Sequence, residues 1–112
     1  MPKYLFAYQQ PTGYVPGTDD NVFAKWEAFF TDIADHVIDP GMPVFERSSL
    51  GDVGESTQLG GYSIVEADDL ETAVGLAKGC PSLSYGGGVQ VGVLTEVPGD
   101  HIVSRLRERA AR

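Results

Sequence analysis

The chain is expected to fold as a small α+β domain of four strands and two helices, on three observations. Apolar residues alternate with period two in three segments, as half-buried strands require. They recur at helical spacing in two others. Clusters of Gly, Pro, Ser and Asp separate the segments and supply the turns.

Residues 3 to 9 place Tyr4, Phe6 and Tyr8 on one side and Leu5 and Ala7 on the other. The loop that follows, QQPTGYVPGTDD, is long enough to act as a lid over a binding site. Asp19 or Asp20 offers an N-cap, and Val22, Trp26, Phe29, Phe30, Ile33 and Val37 form the apolar stripe of a helix over about 20 to 38. Pro40 and Gly41 end it. MPVFERSSLG reads as the second strand and GDVGEST as a polar turn. TQLGGYSIVEA reads as the third, with Tyr62 and Ile64 on one face and Leu59, Ser63 and Val65 on the other.

Asp68 opens the second helix with Glu71 three positions on, as in a capping box. Leu70, Ala73, Val74 and Ala77 form its stripe, with Gly79 as C-cap and Pro81 preventing continuation. Gly86, Gly87 and Gly88 lead into VQVGVLTEV, with Val89, Val91, Val93 and Val97 on one face, and a short helix is expected from about Asp100. The glycine run precedes a strand and no Lys follows it, so it lacks the parts of a phosphate cradle. Gly60 and Gly61 within a strand suggest a bulge or a close approach.

This order, β-α-β-β-α-β, is that of a ferredoxin-like sandwich. Residues 1 to 98 form the domain and 99 to 112 a helical tail. Two helices cover one face of a four-stranded sheet, yet Leu5, Ala7 and Leu94 make the other face apolar as well. A second copy of the chain is the simplest cover, so a homodimer is expected.

Composition narrows the function. At 112 residues, 42% hydrophobic and 21% charged, the chain can bury one core. Sixteen acidic against eight basic residues leave a net charge of -8, which disfavours nucleic acid and anionic membrane as partners. The basic tail, with Arg105, Arg107, Arg109 and Arg112, has the look of a solvated helix end. Cys80 is the single cysteine, which excludes an intrachain disulfide and a zinc cluster and fits a reducing compartment. The N-terminus is not of signal-peptide type and no stretch is long and apolar enough for a membrane span, so a cytoplasmic location is expected.

QLGGYSIVEADDLETAVGLAKGCP, from Gln58 to Pro81, resembles the YCII-related (DGPF-domain) proteins, whose third strand, second helix and Cys-Pro pair follow the same pattern. GGGVQVGVL and WEAFFTDIADHVIDPGMP are similar to the fourth strand and first helix of an actinobacterial-type branch. The Asp-Gly-Pro-Phe signature is replaced by GDVGEST, and the helix start carries Phe23, Ala24, Lys25 and Trp26 where some members have a His and Asp pair. The resemblance implies the dimeric α/β-barrel form of the fold and leaves the activity open.

Candidate chemistry rests on few residues. Asp32 and His36 stand four apart on the first helix, where a carboxylate would orient an imidazole for general-base work; an ordinary surface pair fits as well. Asp39, at the helix end, is a third acid–base candidate, or a turn former through its Asp-Pro sequence. Tyr8, Trp26 and Tyr62 are candidate ligand contacts, set against plain core for Trp26. Cys80 lies at a helix C-terminus, where the dipole disfavours a thiolate, so it is expected to be inert. No cofactor is implied. Two functions follow: a homodimer binding a small organic ligand in an aromatic pocket, with cofactor-independent acid–base catalysis as its enzymatic form, or a non-catalytic interaction or regulatory module.

Overall fold

The computed structural model describes residues 1 to 15, 21 to 96 and 109. The proposed caps Asp19 and Asp20, the end of the candidate lid loop, Val97 and the C-terminal helix lie outside the described residues.

Strand β1 spans Lys3–Pro11, helix α1 Val22–Ile33, β2 Val37–Asp39, β3 Thr57–Glu66, α2 Leu70–Ala77 and β4 Gly88–Leu94. The strands form one antiparallel sheet in the order β2-β3-β1-β4. Both β1 and β2 run antiparallel to β3, so β3 is inserted between two strands that are parallel to each other. This is a small α+β fold consistent with the ferredoxin-like class.

The inward face of β1 is Tyr4, Phe6 and Tyr8, all buried, and Ser63 and Val65 of β3 stand beside them. Phe29 and Ile33 of α1 and Ala73 and Ala77 of α2 close over this face. The two alanines let α2 lie close to the sheet. Full burial of Phe6 alone is worth about 3 kcal/mol of transfer free energy.

Four elements depart from the sequence reading. Helix α1 stops at Ile33 and passes through a 3-10 turn, Ala34–His36, so that Val37 enters the core from a strand. A four-residue step from Ile33 fits a helical stripe, which is why periodicity extends the helix too far; Val37 and Ile38 are β-branched and favour extended backbone. The segment expected as the second strand, from Met42, runs beside β3 without forming a ladder. Val44 N–H donates to the Gly60 carbonyl at 3.0 Å, and Pro43, which has no N–H, makes an isolated bridge to Gly61.

The third departure is the face of Leu59, which follows from a bulge where Gly60 and Gly61 suggest one. Tyr8 pairs with Gly61 but Gln9 pairs with Leu59, so Gly60 is the extra residue. The shift carries Leu59 off the Ser63 and Val65 face and onto the open one, where it is 43% exposed. The fourth lies in α2, whose cap is Asp69 rather than Asp68: its Oδ1 accepts from Thr72 N–H at 2.7 Å. The α2 stripe is Ala73, Leu76 and Ala77, with Leu70 and Val74 exposed.

Candidate functional site

At the C-terminal end of β1 the sheet and α1 do not meet fully, and a cavity of about 340 Å³ opens between them. Its floor is Tyr8 and Gln10 of β1 with the bulged Gly60–Tyr62 stretch of β3. Val22, Phe23, Trp26 and Phe30 of α1 form one wall, and the segment from Pro40 to Phe45 another. Tyr14, Ser82 and Tyr85 complete it. Two sequence features make this space. The bulge at Gly60 removes side chains from the floor, and the proline-rich segment after β2 keeps the chain beside the sheet rather than on top of it.

The walls are rings in mutual contact. Trp26 meets Tyr8 edge to face with centroids 4.8 Å apart at 76°, Phe29 stands edge-on to both, and Phe30 is tilted at 30° to the indole. Tyr14 lies flat against Tyr85, 5.3 Å apart at 10°. Such contacts fix the rings in place before any ligand arrives.

Its polar atoms are few and largely spoken for. The Tyr8 hydroxyl donates to Ser63 Oγ at 2.9 Å, and Ser63 Oγ donates to the Pro40 carbonyl at 2.7 Å. Trp26 Nε1 donates to the Tyr85 hydroxyl at 3.0 Å. Burial pushes the Tyr8 phenol up to about 12 and that of Tyr85 upward as well, so both stay protonated at neutral pH. Burial also raises the Cys80 thiol behind them, consistent with an inert residue. Among the described residues the lining carries no carboxylate, imidazole, ammonium or guanidinium group. No cluster with metal-ligating chemistry occurs among the described residues either.

Of the candidates read from the sequence, Tyr8, Trp26 and Tyr62 line this cavity. Tyr62 pairs with Ala7 and so belongs by alternation to the open face of the sheet, meeting the cavity at the bulged edge. Asp32, His36 and Asp39 are not among the lining residues. Asp32 is exposed on α1, which ends before the spacing to His36 closes. His36 Nδ1 lies 3.1 Å from the Glu66 carbonyl, which can only accept, so that nitrogen carries the proton. Asp39 Oδ1 accepts from Gly41 N–H at 2.8 Å and shapes the turn into the cavity wall.

Tyr14, Tyr85 and Phe45 line the site without having been singled out in the sequence. Tyr14 and Tyr85 each sit alone in a Gly- and Pro- or Ser-rich stretch. A large ring in a turn has no local core to join, and that was the available signal.

No family model matches the chain, and no curated protein matches it in sequence. Among solved structures it is similar to 5-chloro-2-hydroxyhydroquinone dehydrochlorinase from Burkholderia phenoliruptrix, described in complex with 2,5-dihydroxybenzoquinone. The likeness covers 87% of this chain and 95% of that one at 19% identity, with a TM-score of 0.52, and it concerns the fold.

Proposed function

We propose that the chain is a small-molecule-binding homodimer of the YCII-related type, whose ligand occupies the aromatic cavity beside Trp26. The observation that carries this reading is a preformed, ring-walled space of about 340 Å³ with a few fixed polar atoms. That lies at the lower end of the range for ligand pockets, ~300 to 1,000 Å³. It is also roughly twice the ~150 Å³ cavity that takes up benzene, so one or two rings fit. The structural neighbour's ligand, a single ring bearing oxygens, is of that size.

Tyr8, Trp26 and Tyr62 are the ligand contacts in this reading, joined by Tyr14 and Tyr85. Binding is favoured over acid–base catalysis by Asp32, His36 and Asp39, because none of the three lines the cavity within one chain. Support for the dimer comes from the sheet face opposite the helices. Leu5, Ala7, Leu59, Ile64 and Leu94 share it by alternation and register, and no helix among the described residues covers it. A second copy of that face is its natural cover.

The only tryptophan of the chain lines the cavity, so its emission reports occupancy directly. Titration with phenol, hydroquinone and 1,4-naphthoquinone is expected to change Trp26 emission saturably and to raise the melting temperature with dose. A ligand at a hundred times its Kd adds about 2.7 kcal/mol to stability. Failure of every ring compound to do either would overturn the reading.

A further inference from the structure

The charge class of the ligand can be argued from the lining atoms, on the basis of the binding reading above. An indole N–H only donates, so the Tyr85 oxygen accepts at Trp26 Nε1 and the phenol's own proton is directed elsewhere. Ser82, on the lining too, shares a side-chain hydrogen bond with that phenol, so the two hydroxyls act as a pair. On the other side of the indole the protons are fully assigned. The Pro40 carbonyl takes the proton of Ser63, and Ser63 takes the proton of Tyr8, which leaves the Tyr8 oxygen able to accept. The site thus offers a hydroxyl pair, Tyr85 with Ser82, that can turn a proton toward a ligand, and an acceptor at Tyr8.

Nothing on the described lining would balance a charge. The cation of the walling segment is Arg47, and its Nε and Nη2 are spent on the Leu59 and Val44 carbonyls, each at 2.8 Å. The net charge of -8 adds a long-range penalty for anions. A carboxylate brought into contact with these rings would lose its hydration and meet hydroxyls but no countercharge, which costs several kcal/mol.

We propose that the cavity selects an uncharged, planar ring compound of one or two cycles, bearing an oxygen that accepts from Tyr85, and rejects its carboxylate counterpart. The same donor and acceptor would seat a phenol, a quinone or an aromatic amide, and the flat Tyr14–Tyr85 pair suits a flat guest.

Two probes of nearly equal shape separate charge from size: 4-hydroxybenzamide and 4-hydroxybenzoate, titrated calorimetrically into the full chain at neutral pH. The amide is expected to bind at least ~100-fold more tightly, the ratio that about 3 kcal/mol of unpaired charge produces. Tyr85→Phe is expected to weaken the amide about tenfold relative to toluene, as loss of one hydrogen bond to the ligand does, and to lower the melting temperature because the Trp26 N–H loses its acceptor. Equal or tighter binding of the benzoate overturns the charge selection while leaving the binding reading intact. An unchanged amide affinity in Tyr85→Phe overturns the role of Tyr85. If neither probe binds and phenol, hydroquinone and naphthoquinone also fail, the binding reading falls and this inference with it.

Discussion

The phenol of Tyr8 reaches the hydroxyl of Ser63 at 2.9 Å, diagonally across the β1 and β3 ladder, over the space that Gly61 leaves open. Gly61 is Tyr8's own cross-strand partner, and a Cβ placed there would crowd the Met42 carbonyl oxygen at 3.1 Å and Pro43 Cα at 3.3 Å. The neighbourhood therefore joins three features: a glycine that lets the Met42–Pro43 segment lie against β3, a buried serine that accepts, and a phenol whose oxygen stays available to the cavity.

Ser63→Ala removes the acceptor while leaving Tyr8 almost wholly buried. A buried hydroxyl without a partner costs about 1 to 3 kcal/mol, and the variant is expected to lose stability in that range by urea unfolding. Tyr8→Phe combined with Ser63→Ala should be less destabilised than the two single losses added together. Strict additivity would mean that the two hydroxyls are not coupled.

Tyr8 also sets an alkaline limit. Its phenol titrates at about 12 in the fold against 10.0 when free, so the folded state holds its proton longer than the unfolded state does. The contribution is complete below pH 10 and is lost as the pH rises toward 12. On the order of 2 kcal/mol is at stake. Unfolding free energies measured from pH 8 to 12 should fall more steeply in the parent than in Tyr8→Phe. Parallel curves would show that another group governs the loss.

Gly41 is the tightest backbone position beside the cavity. Its φ is +73°, and an added Cβ would overlap the carbonyl oxygen of Tyr62. Gly54 has a similar φ of +83° but open space around it. Gly54→Ala should therefore cost only the left-handed strain, about 1 to 2 kcal/mol. Gly41→Ala should cost at least about 3 kcal/mol, because strain and overlap add. Comparable midpoints for the two in denaturant would sink the close-approach argument.

Much of this was legible in the chain, and the parts that were not have identifiable causes. Tyr4, Phe6 and Tyr8 announce β1 because alternation has one solution over a long strand. Val37 was ambiguous, since a step of four from Ile33 satisfies a helix while the residue itself prefers a strand. Leu59 changed faces because a bulge at Gly60 leaves the composition of β3 untouched and alters only its parity. In the site, Tyr8, Trp26 and Tyr62 could be picked out as rings within periodic elements. Tyr14 and Tyr85 could not, because their meeting depends on a loop and a 3-10 turn far apart in sequence. Asp32, His36 and Asp39 illustrate the opposite limit: a suitable spacing of polar types does not fix which way the helix end turns.

The open face of the sheet supplies the last prediction. Leu5 and Ile64 are direct partners at its centre, and Leu94, 39% exposed, extends the apolar surface along β4. If two such faces pack, Ile64 lies where no water reaches, and Ile64→Lys would bury an unpaired ammonium on each side of the symmetry axis. That costs several kcal/mol, enough to shift a micromolar dimer to monomer. Light scattering after size exclusion should give twice the chain mass for the parent and the single mass for Ile64→Lys, with circular dichroism unchanged. A parent that is monomeric at tens of micromolar rules out the dimer, and a variant that stays dimeric moves the contact to another surface.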